Sequence, residues 1–464
     1  MAVTSLLTSI LSFYPGLLAF ALLALISYRL LLSPLKHIPG PLSCRLTSLW
    51  TYLHSYLGDE ATLITSLHNA YGPVLLVAPN EVCIADGAAL APIYSTAGGF
   101  KKAPCYRNFD VDGFPSLFSE TEKENLLTSC VVNLVERMKA GRAVSEKQGT
   151  PLNVLNLGRG LAVDAVSAYL FRRSYGGLSE GNGAKGEARM SASEFVDAFV
   201  AVGRFFYLPS WVFVAVEMAS GKLFGTHEQE ESMTRVDAFV KRVVDEADPG
   251  DGTYPGRMLK AGLSPDEVEA QCKDLKSFGL TATLKNSYTL LRKELTESRQ
   301  QDPSYDAASL PYLRACIREA LRLSMANPTR LPRLVPQGGW IFHCSINDRT
   351  YHFPAGTLIS CQIHTLHHNS AVFPDPFAFK PERWLESDGY SPSAEMQRDF
   401  IPFGLGARQC IARNLAMTEL VLAAKAIVES NVLGGARAVG EKIEIREWFN
   451  SKVKGERIEL SWAV

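Results

Sequence analysis

The sequence predicts a mostly α-helical protein with small β-sheets, a single large domain behind an N-terminal transmembrane helix. Three observations carry this expectation. No side chain from Met1 to Tyr28 is charged, and Leu6 to Ile26 is almost continuously apolar, close to the ~20 residues a helix needs to cross a bilayer. The remainder is mostly helical in pattern, with strand-like runs at Val74 to Val77, Gly339 to Cys344 and Lys442 to Ile445. Finally, 464 residues with 47% hydrophobic and 20% charged side chains can bury a substantial core, which excludes a disordered or collagen-like chain. Forty-seven basic against 48 acidic residues leave a net charge of −1, which argues against a nucleic-acid binder. Nine cysteines, an odd count without paired spacing, do not read as a disulfide framework.

Taken in order, the first element reads as a membrane anchor rather than a cleaved signal peptide, because no basic residue precedes the apolar run and no clear small-x-small site follows it. Arg29, Lys36 and Arg45 follow the span, so the positive-inside rule places the body in the cytosol. Prolines 34, 39 and 41 of "SPLKHIPGPL" fix φ and withhold backbone donors, ending the helix in a stiff extended hinge. Residues 1–33 are thus anchor and hinge start, and residues 34–464 the domain. Residues 175–186 and 247–256 are polar and turn-forming, which marks surface loops. Between them, Phe205 to Val216 carries no charge and is interrupted by Pro209. It is too short to span a bilayer, and both a core segment and an apolar patch dipping into the membrane interface stay open. Ser264-Pro265-Asp266-Glu267 starts a helix, with a serine cap, proline at the first position and glutamate completing a capping box.

The segment with most chemistry is "FGLGARQCIARNLA", Phe403 to Ala416, followed by an apolar helical pattern through Met417, Leu420, Val421 and Ala424. Gly404 and Gly406 let the backbone approach a ligand closely, and Cys410 stands at a helix entrance, where backbone N–H groups and the dipole stabilise a thiolate. Such a thiolate suits the axial position of haem iron, and Arg408 can pair with a propionate. A buried structural cysteine after a glycine-rich turn is the plainer reading of this segment taken alone. Glu319 and Arg322 lie three apart on one helix face, where they can pair and, with Arg383, pin the cysteine loop; a surface ion pair is the plainer alternative. His364, His367 and His368 lack a spaced acidic or cysteine ligand and do not read as a metal site. No Walker loop, nucleophile elbow or dinucleotide fingerprint is present.

These residues resemble the cytochrome P450 family of haem-thiolate monooxygenases. Phe403, Gly406, Arg408 and Cys410 match its F-x-x-G-x-R-x-C-x-G loop in register, with Ala412 where the last glycine usually lies. Glu319 and Arg322 fit its E-x-x-R, and Arg383 in "FKPERWL" fits its P-E-R segment. Cys410 follows Glu319 by 91 residues and Arg383 by 27, so the three segments stand in family order. The resemblance implies haem b (iron protoporphyrin IX) ligated by Cys410, propionates held by Arg408 and Arg333, and a structural core of Glu319, Arg322 and Arg383. It further implies an apolar small-molecule substrate, O2, and electrons from an NADPH-cytochrome reductase, because the chain has no flavin or nicotinamide site of its own. The style is that of microsomal enzymes of filamentous fungi, anchored in the endoplasmic reticulum membrane in contact with lipid and plausible in secondary metabolism.

The family pattern breaks in two places. The helix from Ser264 should carry A-G-x-D/E-T-T/S; Gly279 matches, but Phe278 replaces the small residue, Thr281 the acid and Ala282 the first threonine. Thr283 is the remaining proton-relay candidate, with an ordinary helical threonine as its alternative. On the order of a dozen residues are missing near 285, and about two dozen near 124, where a W-x-x-x-R helix is expected. A second reading therefore stays open: a non-catalytic membrane-anchored relative, or mis-spliced form, with impaired haem binding.

Overall fold

The computed structural model describes residues 16–17, 19–94, 99–109, 124–180, 191–224, 226–250, 253–260, 262–273, 285–302, 304–324, 326–386, 391–406, 409–410, 412–440 and 443–462. Among these, helices dominate and the sheets are small, as expected. The helices needed below are α1 (Leu49–Leu57), α2 (Glu60–Tyr71), α3 (Glu124–Gln148), α4 (Val154–Phe171), α5 (Ser210–Phe224), α6 (Pro265–Lys273), α7 (Lys285–Gln301), α8 (Pro311–Ser324), α9 (Ile363–His367) and α10 (Arg413–Glu429). The largest sheet uses β1 (Val74–Ala78), β2 (Glu81–Ile84), β3 (Lys101–Lys102), β4 (Arg333–Leu334) and, after the hairpin β5 (Trp340–Cys344) and β6 (Arg349–Phe353), β7 (Leu358–Ser360). Its order is β1-β2-β7-β4-β3, with β2 and β7 parallel and the other pairs antiparallel.

Two bodies of core follow from this. One is the sheet core, where Val74, Leu76, Val82, Ile84 and Ile359 meet the hairpin's Phe342 and Phe353. The other is helical: α3 packs on both α4 and α10, and Leu134, Met138, Leu161, Ala168 and Ala423 share one buried cluster. α4 is apolar enough to pass for a membrane span, yet most of it lies inside the protein, so its hydrophobicity belongs to the core. Asn153 caps α4 by accepting from the Leu155 amide at 3.2 Å. α8 is capped from outside: the Glu294 carboxylate of α7 accepts from the Tyr312 and Leu313 amides at 2.7 and 2.8 Å.

Several sequence expectations are corrected. The proline segment after the apolar helix Ala19–Leu32 is a turn docked on the sheet, not an extended hinge. Leu35 and Ile38 are buried in the sheet core, and the Leu76 amide donates to the Pro39 carbonyl at 2.7 Å. A Cβ on Gly40 would stand 2.6 Å from the Leu76 oxygen, so glycine is required by that approach. The loop from Tyr175 is tucked in at its start, where Asp164 accepts from the amides of Gly176, Gly177 and Leu178. The second loop is shorter than expected, because Tyr254, Pro255 and Gly256 are buried in the first turn of a helix. The strand expected from Lys442 is only Ile445–Arg446, paired with Lys452–Val453. In Phe205 to Val216, Phe206, Tyr207 and Phe213 are buried in the core, while Trp211 and Val214 on α5 are exposed. α6 begins at Pro265, as its capping signal requires.

Candidate active site

The cysteine loop is a closed turn. The Gly404 amide donates to the Ile401 carbonyl at 2.9 Å, the Gln409 amide to the Gly406 carbonyl at 3.0 Å, and the Cys410 amide to the Phe403 carbonyl at 2.7 Å. Gly404 and Gly406 have φ of +71° and +73°, a region that side chains with a Cβ seldom enter. Nothing but conformation demands glycine at 404, since a Cβ there would make only an ordinary contact with Gln409 Cα at 3.7 Å. Beyond Cys410 the chain turns into α10, with the Arg413 amide donating to the Cys410 carbonyl at 3.3 Å. Cys410 is half-buried and sits just ahead of the helix.

Other cysteines are in a different situation. Burial pushes the thiols of Cys83, Cys105, Cys272 and Cys316 up to about 12 and those of Cys44 and Cys130 to about 11. They are inert core groups.

Behind the loop, Glu319, Arg322 and Arg383 are brought together, the first two as their spacing suggested and Arg383 as the resemblance implied. Arg322 grips Glu319 with two parallel bonds, Nε to Oε2 at 2.9 Å and Nη2 to Oε1 at 2.7 Å, and Arg383 Nε adds a third at 3.1 Å. The Lys380 amide and Trp384 Nε1 complete the carboxylate's shell at 3.0 and 2.9 Å. Both Glu319 and Arg322 are 0% exposed, which rules out the surface-pair alternative. Burial acts to raise the Glu319 carboxyl, but the Arg322 bonds and charge, the Lys380 amide and Arg383 together hold it below its ordinary range. The remaining guanidinium N–H groups of Arg322 and Arg383 bind the carbonyls of His367, Pro376, Ala378, Pro374 and Asp375. Five of these bonds join the segment from Pro374 to Trp384 to α8, and the others brace the group.

Arg333 lies elsewhere, on β4. It is buried, donates to Tyr106 Oη at 2.8 Å and the Pro332 carbonyl at 3.0 Å, and sits over the rings of Tyr94 and Tyr106. Arg408 and Thr283 lie outside the described residues.

A cavity of about 280 Å³ reaches the loop at Phe403 and Ala412, on either side of Cys410. Most of its walls come from α3, α4, α8 and α10, with Leu134, Leu161, Ile317 and Ala416 among the apolar majority, and α7, α9 and the C-terminal strand add Leu291, His367 and Leu460. Glu419 is the carboxylate in its lining, raised by burial to about 7. Among the described residues it makes no hydrogen bond or ion pair. Cys410 stands on a glycine-shaped loop between two residues that line this apolar cavity, an arrangement that fits a flat apolar macrocycle bound through a sulfur.

Sequence reasoning missed several residues of this region. The three histidines were weighed only as metal ligands, whereas His364 Nδ1 lies 2.9 Å from Thr65 Oγ1, and His367 and His368 bond to main-chain groups. Arg330 with Glu60 and Glu81 forms a second buried ionic group, and no motif marked it. Glu419 was hidden in the apolar pattern of α10.

Comparison with known proteins gives a consistent outcome. A family model described as Cytochrome P450 matches residues 283–430. Cytochrome P450 monooxygenase mfmF of Annulohypoxylon moriforme is 34% identical over 95% of this chain and 97% of its own length. Cytochrome P450 monooxygenase ankB of Aspergillus thermomutatus is 28% identical over 87% of this chain and 84% of its own, and tazI of Aspergillus terreus 26% over 85% and 86%. The alignment with mfmF has 495 columns yet takes in 95% of a 464-residue chain, so in about fifty columns this chain has no residue.

Proposed function

This chain belongs to the cytochrome P450 family, of fungal type, and is an oxidoreductase of its monooxygenase class; from that premise we propose that it hydroxylates an apolar small molecule, with O2 and electrons from an NADPH-dependent reductase. One observation carries the substrate class: the cavity beside Cys410 is walled by aliphatic side chains, with Glu419 as its carboxylate. Haem b is the proposed cofactor: Cys410 would hold its iron, Phe403, Gly404 and Gly406 would shape its seat, and Arg408 and Arg333 would pair with its carboxylates. Haem supplies the activation of oxygen when bound. The chain's own residues position and exclude: the Glu319, Arg322 and Arg383 group immobilises the segment behind the loop, and the apolar walls keep water from the site. Thr283 is the proposed proton-relay hydroxyl.

Residues 1–33 act as the anchor and the body from residue 34 faces the cytosol at the endoplasmic reticulum membrane. Ala19–Leu32 supports this as an apolar helix. A role in fungal secondary metabolism follows the style of the sequence.

A reduced, CO-treated difference spectrum of the purified protein tests the proposal. A Soret band at the thiolate position is expected, and Cys410→Ala should abolish it. The second reading, a relative with impaired haem binding, is motivated by the fifty-odd columns in which this chain has no residue. A purified wild-type chain that takes up no haem would select that reading.

A further inference from the structure

The chain enters the cysteine loop at Ile401, and the Ile401 amide donates to His367 Nε2 at 3.0 Å. The Ile401 carbonyl then accepts the Gly404 amide, which opens the turn that Cys410 closes. On its other side the imidazole puts Nδ1 3.2 Å from the Arg322 carbonyl. A carbonyl only accepts and an amide N–H only donates, so both neighbours together require one tautomer: Nδ1 carries the proton and Nε2 the lone pair. Arg322 returns the contact, donating from Nη1 to the His367 carbonyl at 2.8 Å.

The ring is also held by its faces. It stacks on Phe400 with centroids 5.7 Å apart, Phe400 packs on Trp384 at 4.9 Å, and Trp384 Nε1 donates to Glu319 Oε2 at 2.9 Å. The contacts therefore close a ring: Glu319, Arg322, His367, Ile401, Phe400, Trp384 and back to Glu319. His367 is 0% exposed, so each of its polar atoms must find its partner inside the protein.

We infer that His367 is a positioning residue, a neutral imidazole strut that transmits the fixed geometry of the Glu319–Arg322–Arg383 group to the first turn of the Cys410 loop. His367 also borders the cavity, and the role assigned to it here is exerted through Ile401. The inference rests on the haem-thiolate reading for its functional meaning but not for its structural content. Burial holds the imidazole down to about 3, so it stays neutral wherever the protein is folded and Nε2 keeps its lone pair.

The test is a set of three substitutions in the full chain. His367→Gln can place a side-chain oxygen near the Nε2 position and accept from Ile401. His367→Asn reaches only the Nδ1 position, keeping a donor for the Arg322 carbonyl, and His367→Phe keeps only the ring. Hydrogen–deuterium exchange of the haem-free protein, resolved for 398–404, is the first readout. Exchange at Ile401 should rise about tenfold or more in the Asn and Phe variants, stay near wild type in Gln, and leave α8 protected in all. After haem loading, the thiolate-type CO band should be retained in Gln and largely lost in Asn. Equal behaviour of Gln and Asn in exchange overturns the inference, and this comparison holds even where the Phe variant does not fold. A wild-type chain that binds no haem would sink the proposed function and leave the exchange arm decisive for the strut.

Discussion

Glu419 is a single carboxyl placed against an apolar cavity, and burial raises it from 4.5 to about 7. The folded protein therefore binds its proton more tightly than the unfolded chain does. That contribution to stability is fully present below pH 4.5 and is lost as the pH rises through about 7. Glu419→Gln keeps the shape without the charge, so its advantage should be absent at pH 4.5, grow between pH 4.5 and 7, and level off above at roughly 3 kcal/mol at most. Urea denaturation at pH 4.5, 6 and 8 measures this, and a pH-independent difference would contradict it. No reading of the sequence singled out Glu419, because a glutamate one turn beyond Ala416 on a helix reads as a solvated face until the neighbouring helices are in place. Glu319, three before Arg322, was legible, since a spacing of three on one helix is a local fact. His367 was legible only as a residue type: what it does depends on Ile401 and Arg322, both more than thirty residues away in sequence.

At the scale of elements, α5 and α1 show why one stretch resisted a single reading. Phe205 to Val216 is apolar on both sides of the helix, so periodicity cannot separate a core face from an outer one. Folding does separate them. Phe206 stacks on Phe449 with centroids 3.9 Å apart, while Trp211 and Met218 are 77% and 61% exposed. α1, which packs on the Gly203–Phe205 turn, adds exposed Leu49, Leu53 and Leu57. Exposed tryptophan and leucine on these two helices suit the lipid interface. A protein lacking residues 1–33 should then still float with phosphatidylcholine vesicles, and adding Trp211→Ser, Met218→Ser and Leu53→Ser should weaken its partitioning by at least about tenfold. Flotation unchanged by the triple substitution would remove α5 and α1 from the membrane face.

On the scale of the whole molecule, contacts join segments that lie far apart in the chain. β2 pairs with β7 across more than 270 residues, and the Glu447 carboxylate accepts from the Thr62 amide at 2.8 Å across 385 residues. A cavity made mostly by α3, α4, α8 and α10 is not legible in any window of sequence, because its walls are drawn from segments spread between Leu134 and Leu460. This arrangement has a thermodynamic consequence. A cofactor seated where four helices converge contacts most of the folding unit at once, and it binds only the native arrangement, so it stabilises by mass action. At a free haem concentration about a hundredfold above its dissociation constant, the gain should be about 2.7 kcal/mol. Differential scanning calorimetry of the haem-loaded and haem-free protein should therefore show an upward shift of Tm that Cys410→Ala reduces. Glu319→Gln, which leaves Arg322 and Arg383 buried without their anion, should lower Tm in both forms. The two variants separate the roles: one removes the increment due to the cofactor, the other lowers the scaffold that the increment is added to. A loaded protein that melts with the haem-free one would mean that the cavity beside Cys410 does not hold haem in the native state.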